Sequence, residues 1–151
     1  MGVVAHNMNY FEILKVPVAY NIDIDLLTKN YFSLQQSVDQ VDPAILNEAY
    51  NTLKNDIKRA EYFLSLKEIS VERISTDLAM KMFAMRERYE SLDNEGDKIK
   101  VQKQIKKQIK SLILDLKTYE DDLNKFAEVF GELKFLSSFL EKERSDVYSR
   151  N

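Results

Sequence analysis

The sequence predicts an all-α protein made of two helical parts. Its 151 residues include only three glycines and two prolines, too few for a turn-rich β protein. Hydrophobic residues make up 44% of the chain and charged residues 31%, a balance typical of a globular fold. Apolar side chains recur every three or four residues, and capping residues precede several of these stretches. This pattern predicts helices along most of the chain.

The first helical part is predicted to cover residues 8–66. A short apolar turn from Tyr10 to Leu14 ends before Pro17, because the residue that precedes a proline disfavours the helical conformation. Asp23 or Asp25 can cap the next helix by accepting hydrogen bonds from free backbone amides. That helix then carries a one-sided apolar stripe formed by Leu27, Tyr31 and Leu34.

Two further helices complete this part as a helical hairpin with short flanking helices. Asp42 and Pro43 start the first of them, since aspartate caps a helix and proline suits its first position. Asp56 is predicted to cap the second. The connector from Ser37 to Val41 is short, so the helices on either side of it should pack antiparallel. The apolar faces consist of Ile45, Ala49, Tyr50 and Leu53, and then of Ile57, Ala60, Phe63 and Leu64.

The second part is predicted to be an antiparallel three-helix bundle over residues 75–147, after a polar linker at 67–74. A capping residue at positions 75–77 begins its first helix, which ends at the break from Asp93 to Gly96. The second helix has apolar residues at alternating spacings of four and three, as in a bundle seam. These residues are Ile105, Ile109, Leu112 and Leu116, and the last helix carries Leu123, Phe126, Phe130 and Leu133.

The composition excludes several classes of function. The net charge is −3, there is no cysteine, and the single histidine, His6, lies outside the predicted helices. There is no glycine-rich phosphate loop and no clustered set of metal ligands, so we expect neither enzyme activity nor a cofactor. The absence of thiolates also argues against a bound iron–sulfur cluster. We expect no nucleic-acid partner and no membrane span, since no run of about 18 apolar residues occurs.

Six lysines are concentrated between residues 98 and 110. They are Lys98, Lys100, Lys103, Lys106, Lys107 and Lys110. We interpret them as a solvated helix face opposite the isoleucine seam, and the alternative is a surface for phosphate or an acidic partner. The solvated face is favoured because no aromatic residues interleave with the lysines and the chain is acidic overall.

The helix that follows the linker is rich in methionine. Met80, Met82, Phe83 and Met85 cover more than one side of a helix, so a three-helix core cannot bury all of them. Met82 and Met85 are predicted to lie in the core. Met80, Phe83 and Glu87 share one face, and an exposed methionine-rich patch suits an adaptable protein-binding surface.

Two segments, Met8 to Phe11 and Leu46 to Leu66, resemble the HscB-type J-protein co-chaperones of iron–sulfur cluster assembly. The resemblance extends loosely from Met8 to Asp146, and the residues before it are interpreted as an added leader. It implies an L-shaped molecule with a J-like domain followed by the three-helix bundle. It also implies a non-enzymatic co-chaperone that binds an IscU-type iron–sulfur scaffold protein and presents it to a DnaK-class chaperone of the HscA type. The expected location is the bacterial cytoplasm, with the mitochondrial matrix as the alternative.

The His-Pro-Asp tripeptide, through which J-proteins stimulate the chaperone ATPase, is missing. The segment where it belongs, Gln36 to Asp42, reads Gln-Ser-Val-Asp-Gln-Val-Asp. We interpret this segment as an ordinary connector, and the alternative is a working contact loop for the chaperone. The family has several more residues there, so a further possibility is that this sequence lacks part of a longer loop. The positions that the resemblance assigns to the chaperone are Lys29, Asp39 and Arg59, although a solvated helix face is the alternative for Arg59. We therefore expect ATPase stimulation to be weak or absent.

The resemblance assigns scaffold binding to Met80, Phe83, Glu87 and Phe135. Two of the family's three acidic positions in this region are Ala84 and Ser91 here, so only one negative charge is kept. Two other functions stay open on the sequence alone. One is a degenerate J-like regulator that binds a partner without productive effect, and the other is a helical protein-interaction module without chaperone activity.

Overall fold

The computed structural model describes residues 8–37, 41–69 and 75–149. Every regular element within these ranges is a helix, which confirms the predicted all-α class. The helices in chain order are α1 (Tyr10–Ile13), α2 (Ile24–Gln35), α3 (Pro43–Leu53), α4 (Asp56–Leu66), α5 (Thr76–Glu90), α6 (Glu95–Thr118) and α7 (Leu123–Ser149).

Polar side chains cap the helices α1 to α6. At α3 the Asp42 carboxylate accepts a hydrogen bond from the backbone nitrogen of Ala44 at 2.9 Å, as the sequence predicts. The predicted cap of α4 was wrong by one residue. Asn55, not Asp56, accepts hydrogen bonds from the first free amides, and its Oδ1 lies 2.9 Å from the nitrogen of Lys58. Asp56 is the first helical residue instead, which leaves its carboxylate available to a side chain one turn further along α4.

The chain divides into two compact units, Met1–Glu68 and Ile69–Asn151. In the first unit, α1, α2 and α4 each pack against α3, which is therefore the central helix. The hydrophobic core collects the apolar faces that the sequence pattern predicts, together with residues from α1 and the loop after it. Its buried members are Phe11, Ile13, Leu14, Val16, Leu27, Leu46, Ala49 and Leu53.

A buried arginine joins three segments of the first unit. Arg59 is only 2% exposed. Its Nε donates to the carbonyl oxygen of Tyr20 at 2.7 Å, and its Nη1 donates to the carbonyl oxygen of Leu53 at 2.8 Å. Its Nη2 pairs with the Asp56 carboxylate at 2.9 Å. Because a buried cation is tolerated only when its donors are satisfied, these bonds fix the loop before α2 against the junction of α3 and α4.

Tyr20 lies against this guanidinium, and its ionisation should affect stability at high pH. Burial raises the pKa of Tyr20 from its ordinary value of 10.0 to about 12, against the opposing effect of the Arg59 charge. Between these two pH values the unfolded chain loses the Tyr20 proton while the folded chain keeps it. The unfolded state then binds fewer protons, so folding stability falls as the pH rises. The contribution of the protonated Tyr20 to folding stability is complete below pH 10 and is lost as the pH approaches 12.

We therefore expect Tyr20→Phe to weaken the loss of stability at alkaline pH. Urea unfolding at about pH 8 and about pH 11 should show a fall in unfolding free energy that is smaller in the variant by roughly 1 kcal/mol. Some decline should persist in both proteins, because burial also raises the pKa of Tyr10 and Tyr62. The same pH dependence in both proteins would show that Tyr20 does not carry this effect.

The second unit is built around the close packing of α6 and α7. The buried core residues that these two helices supply are Ile105, Leu112, Leu116, Phe126, Val129, Phe130, Leu133, Leu136 and Phe139. Helix α5 adds one buried residue, Tyr89, near its carboxyl end. The Tyr89 ring meets Phe139 edge-on at 5.0 Å between centroids, and its hydroxyl accepts a hydrogen bond from Gln102 at 2.7 Å. Helix α5 is thus anchored at one end, and most of its remaining side chains stay at least partly exposed.

Candidate functional site

Two large apolar side chains project from α5 into solvent. Met80 is 66% exposed and Phe83 is 64% exposed, the highest values among the large hydrophobic residues that the structure describes. Glu87 is also exposed. These three residues occur at i, i+3 and i+7, so they share one side of the helix, and the buried Tyr89 lies on the opposite side. We refer to Met80, Phe83 and Glu87 as the α5 face.

Phe135, the fourth residue that the sequence assigns to scaffold binding, lies half-buried on α7. Its ring centroid is 5.5 Å from the guanidinium carbon of Arg86. Arg86 lies three residues after Phe83 and is therefore its neighbour on the surface of α5. The structure thus places Phe135 at an edge of the second unit that adjoins the α5 face, rather than within that face.

A cavity of about 230 Å³ is lined by residues of α5, α6 and α7, and Phe135 is one of them. Met82 and Met85 line it, together with Ile105 and Leu136. The sequence predicts a core position for both methionines, whereas the structure leaves them half-buried at this cavity. The reason is that α5 packs less closely than α6 and α7 pack on each other.

The rim of this cavity carries an ion pair between α5 and α7. The Lys81 ammonium lies 2.7 Å from the carboxylate of Glu132. Lys81 is 67% exposed, and pairs at such exposed positions contribute about 0–1 kcal/mol. The pair therefore orients the two helices more than it stabilises them.

The three residues predicted to contact the chaperone have different positions. Lys29 is exposed on α2. Asp39 lies outside the described residues, so its placement stays a prediction. Arg59 is buried and hydrogen-bonded, and it provides neither an exposed contact nor the solvated helix face that the sequence left as the alternative. Of these three, only Lys29 is seen at the surface.

The described residues show no sign of a metal site or of a buried ligand. Over residues 8–37, 41–69 and 75–144, no group of three His, Cys, Asp or Glu side chains is placed to hold a metal ion. Within the same part of the chain, every buried side-chain nitrogen and oxygen has a hydrogen-bond partner, so no buried polar atom points to a missing ligand. None of the described helices combines the length and hydrophobicity that a membrane span requires.

Comparison with known proteins supports the resemblance to HscB. The co-chaperone protein HscB homolog of Shewanella amazonensis is 26% identical over 171 aligned residues, which cover 92% of this chain and 97% of that protein. The HscB homolog of Shewanella loihica is 34% identical over 95 residues, covering 53% of this chain and 55% of that protein. The crystal structure of human co-chaperone protein HscB matches with a TM-score of 0.78, over 95% of this chain and 84% of that one. The chain therefore resembles HscB-type co-chaperones along nearly its whole length.

This result confirms the family resemblance of the sequence, although no family model matches the chain. The human structure is 17% identical to this chain, so that likeness shows a shared fold. In the Shewanella loihica alignment the chain spans 55% of the length of the HscB relative, or about half. That alignment has 95 positions, but it includes only 53% of the 151 residues of this chain, which is about 80 residues. The relative therefore has positions with no counterpart in this chain.

Proposed function

We propose that this protein is a non-enzymatic co-chaperone of iron–sulfur cluster assembly. In this role it binds an IscU-type scaffold protein and presents it to a DnaK-class chaperone of the HscA type. The relatives in the Shewanella species carry the name co-chaperone protein HscB homolog, which supports the general role. The bacterial relatives also support the proposed location, the bacterial cytoplasm.

The exposed α5 face is the observation that carries the proposed scaffold contact. Full burial of a methionine or phenylalanine side chain is worth about 1.5–3 kcal/mol. Met80 and Phe83 are each about two thirds exposed, so covering both would contribute about 2–4 kcal/mol. Such a contribution is typical of the few residues that dominate a small interface. Glu87 adds a negative charge at the end of this face, and Phe135 extends the apolar surface beside it.

The proposed chaperone contact is weaker than in a complete J-domain. The His-Pro-Asp tripeptide is missing, and Lys29 is the only cation from Asp25 to Gln36. Arg59 is taken up by internal hydrogen bonds. Electrostatic complementarity mainly raises the rate of association, so the loss of cations should slow the encounter with the chaperone. We therefore propose that scaffold binding is retained while stimulation of the chaperone ATPase is weak or absent.

An ATPase assay with the scaffold and an HscA-type chaperone tests this proposal. The Shewanella amazonensis HscB homolog serves as the positive control. We expect this protein to bind the scaffold in calorimetry at micromolar concentration and to leave the ATPase rate close to that of the chaperone with scaffold alone. Stimulation equal to that of the control would contradict the chaperone half of the proposal. Absence of scaffold binding by the folded protein would contradict the other half.

The same assay distinguishes a degenerate regulator, which the missing tripeptide favours as the second candidate. A regulator of this kind would bind the scaffold or the chaperone and lower the ATPase rate that the positive control produces. Added to the control reaction in excess, a weak co-chaperone would lower the rate only to the extent that it competes for the scaffold. Raising the scaffold concentration would then restore the rate, whereas inhibition that persists would indicate the regulator.

A further inference from the structure

Helix α6 presents an uninterrupted row of lysines to solvent. Lys100, Lys103, Lys106, Lys107 and Lys110 are all exposed, and their spacings of three and four residues place them on one side of the helix. The opposite side carries the buried residues Ile105, Leu112 and Leu116. We refer to the five exposed lysines as the lysine face.

The charge of α6 contrasts with that of the rest of the molecule. The helix contains seven lysines and three acidic residues and so has a net charge of +4. The whole chain has a net charge of −3, which leaves −7 for the remainder. None of the five lysines forms an ion pair with another residue in the described part of the chain. The lysine face is therefore an unneutralised cationic surface on an acidic protein.

This arrangement works against the stability of the helix itself. Like charges three or four residues apart repel each other on a helix surface. Lys103 is followed at these spacings by Lys106 and Lys107, and both are followed by Lys110. Alternation with glutamate would remove this repulsion and keep the surface equally soluble. A bound anionic partner would also reduce the repulsion between the lysines.

Two exposed aliphatic side chains lie at the ends of the lysine face. Ile99 is 49% exposed and Leu114 is 62% exposed. They are fifteen residues apart, which corresponds to about 22 Å along a helix at 1.5 Å per residue. Helix α6 has no aromatic side chain on which the bases of a single-stranded nucleic acid could stack. The two aliphatic side chains also provide too little apolar surface to enter a membrane interface.

We propose that the lysine face docks an acidic polypeptide segment that carries aliphatic side chains about 22 Å apart. The carboxylates of the segment would neutralise the lysines, and its aliphatic ends would cover Ile99 and Leu114. This surface lies on a different helix from the α5 face. The inference therefore does not depend on the proposed scaffold contact.

The test uses a fluorescent helical peptide of about 16 residues, with leucine at each end and glutamates between them at the spacing of the lysines. A second peptide has glutamine in place of each glutamate. We expect the full-length protein to bind only the glutamate peptide in fluorescence anisotropy. Raising the salt from about 50 to about 200 mM should weaken this binding, because exposed charges are screened.

Two double variants separate the lysine face from net charge. Lys103→Glu/Lys107→Glu changes the lysine face, whereas Lys58→Glu/Lys142→Glu makes the same change in net charge at exposed positions elsewhere. All four lysines are exposed, so circular dichroism should show both variants folded. We expect the first variant to lose roughly tenfold or more in affinity for the glutamate peptide and the second to stay within about twofold.

Three outcomes would overturn the inference. The first is equal weakening by both double variants, which would mean that only net charge matters. The second is no binding of the glutamate peptide by the folded wild-type protein, which would leave a solvated helix face only. The third is binding of phosphatidylserine vesicles or a single-stranded oligonucleotide that exceeds peptide binding and is lost in Lys103→Glu/Lys107→Glu. That result would assign the lysine face to a lipid surface or to a nucleic acid.

Discussion

Replacing Arg59 with leucine should lower the free energy of unfolding of the first unit by about 3 kcal/mol or more. The substitution leaves the carbonyl oxygens of Tyr20 and Leu53 buried without a donor, and each such group costs about 1–3 kcal/mol. Buried ion pairs can often be replaced by apolar residues without loss. That outcome is not expected here, because the main partners of Arg59 are backbone oxygens, which the substitution cannot remove.

Urea unfolding combined with hydrogen exchange at residues 43–66 would measure this effect in the full chain. Lys58→Leu is the matched control, since it adds the same side chain at an exposed position one residue earlier on α4. It should change stability by no more than about 0.5 kcal/mol. Arg59→Lys should give an intermediate loss, because an ammonium cannot reproduce the forked donors of a guanidinium. A leucine variant as stable as the Lys58 control would show that these three bonds add nothing to stability.

Removing the two exposed apolar side chains of the α5 face should weaken scaffold binding strongly. Met80→Ala/Phe83→Ala is expected to raise the dissociation constant for the IscU-type scaffold by roughly thirtyfold, corresponding to about 2 kcal/mol. Both side chains are about two thirds exposed, so their removal should leave the fold and its stability nearly unchanged. Calorimetric titration of the scaffold into each protein gives the two dissociation constants directly.

Ile24→Ala/Phe32→Ala is the matched control for this experiment. These residues are 39% and 54% exposed on α2, in the other unit, and the pair removes a comparable amount of apolar surface. It should leave scaffold affinity within about twofold of wild type. Equal losses in both pairs would point to a general surface effect, and an unaffected Met80→Ala/Phe83→Ala variant would remove the α5 face from the proposal. Phe135→Ala should be interpreted together with stability, because that ring also lines the cavity beside Met82 and Met85.

Much of the helical organisation could be predicted from neighbouring residues alone. Asp42 caps α3 and Pro43 takes its first position, as the local sequence predicts. The same reasoning misplaced the cap of α4, because Asn55 and Asp56 are adjacent and both side chains can cap. What separates them is the Arg59 guanidinium, which engages Asp56 at 2.9 Å. This ion pair joins residues three apart within α4, so it is a local contact that the capping rule alone does not take into account.

The candidate site also combines features that the sequence predicts with features that depend on tertiary packing. The sequence singled out Met80, Phe83 and Glu87 as residues on one face, and helical spacing was sufficient for that. It could not show that Met82 and Met85 would remain half-buried, since this depends on how closely α5 approaches α6 and α7. The sequence shows the lysine face only as a run of charges. Its lack of ion pairs within the described chain became visible only with the side chains in place.

The sequence by itself determined the helical class, the apolar faces of most helices, the resemblance to HscB and the absence of the His-Pro-Asp tripeptide. These properties depend on residues within one or two turns of each other, or on the order of residues alone. Only the tertiary structure decided the burial of Arg59 and the partial exposure of the α5 methionines. Arg59 bonds to Tyr20, which lies 39 residues earlier in the chain. No periodicity along a single helix records a contact of that range.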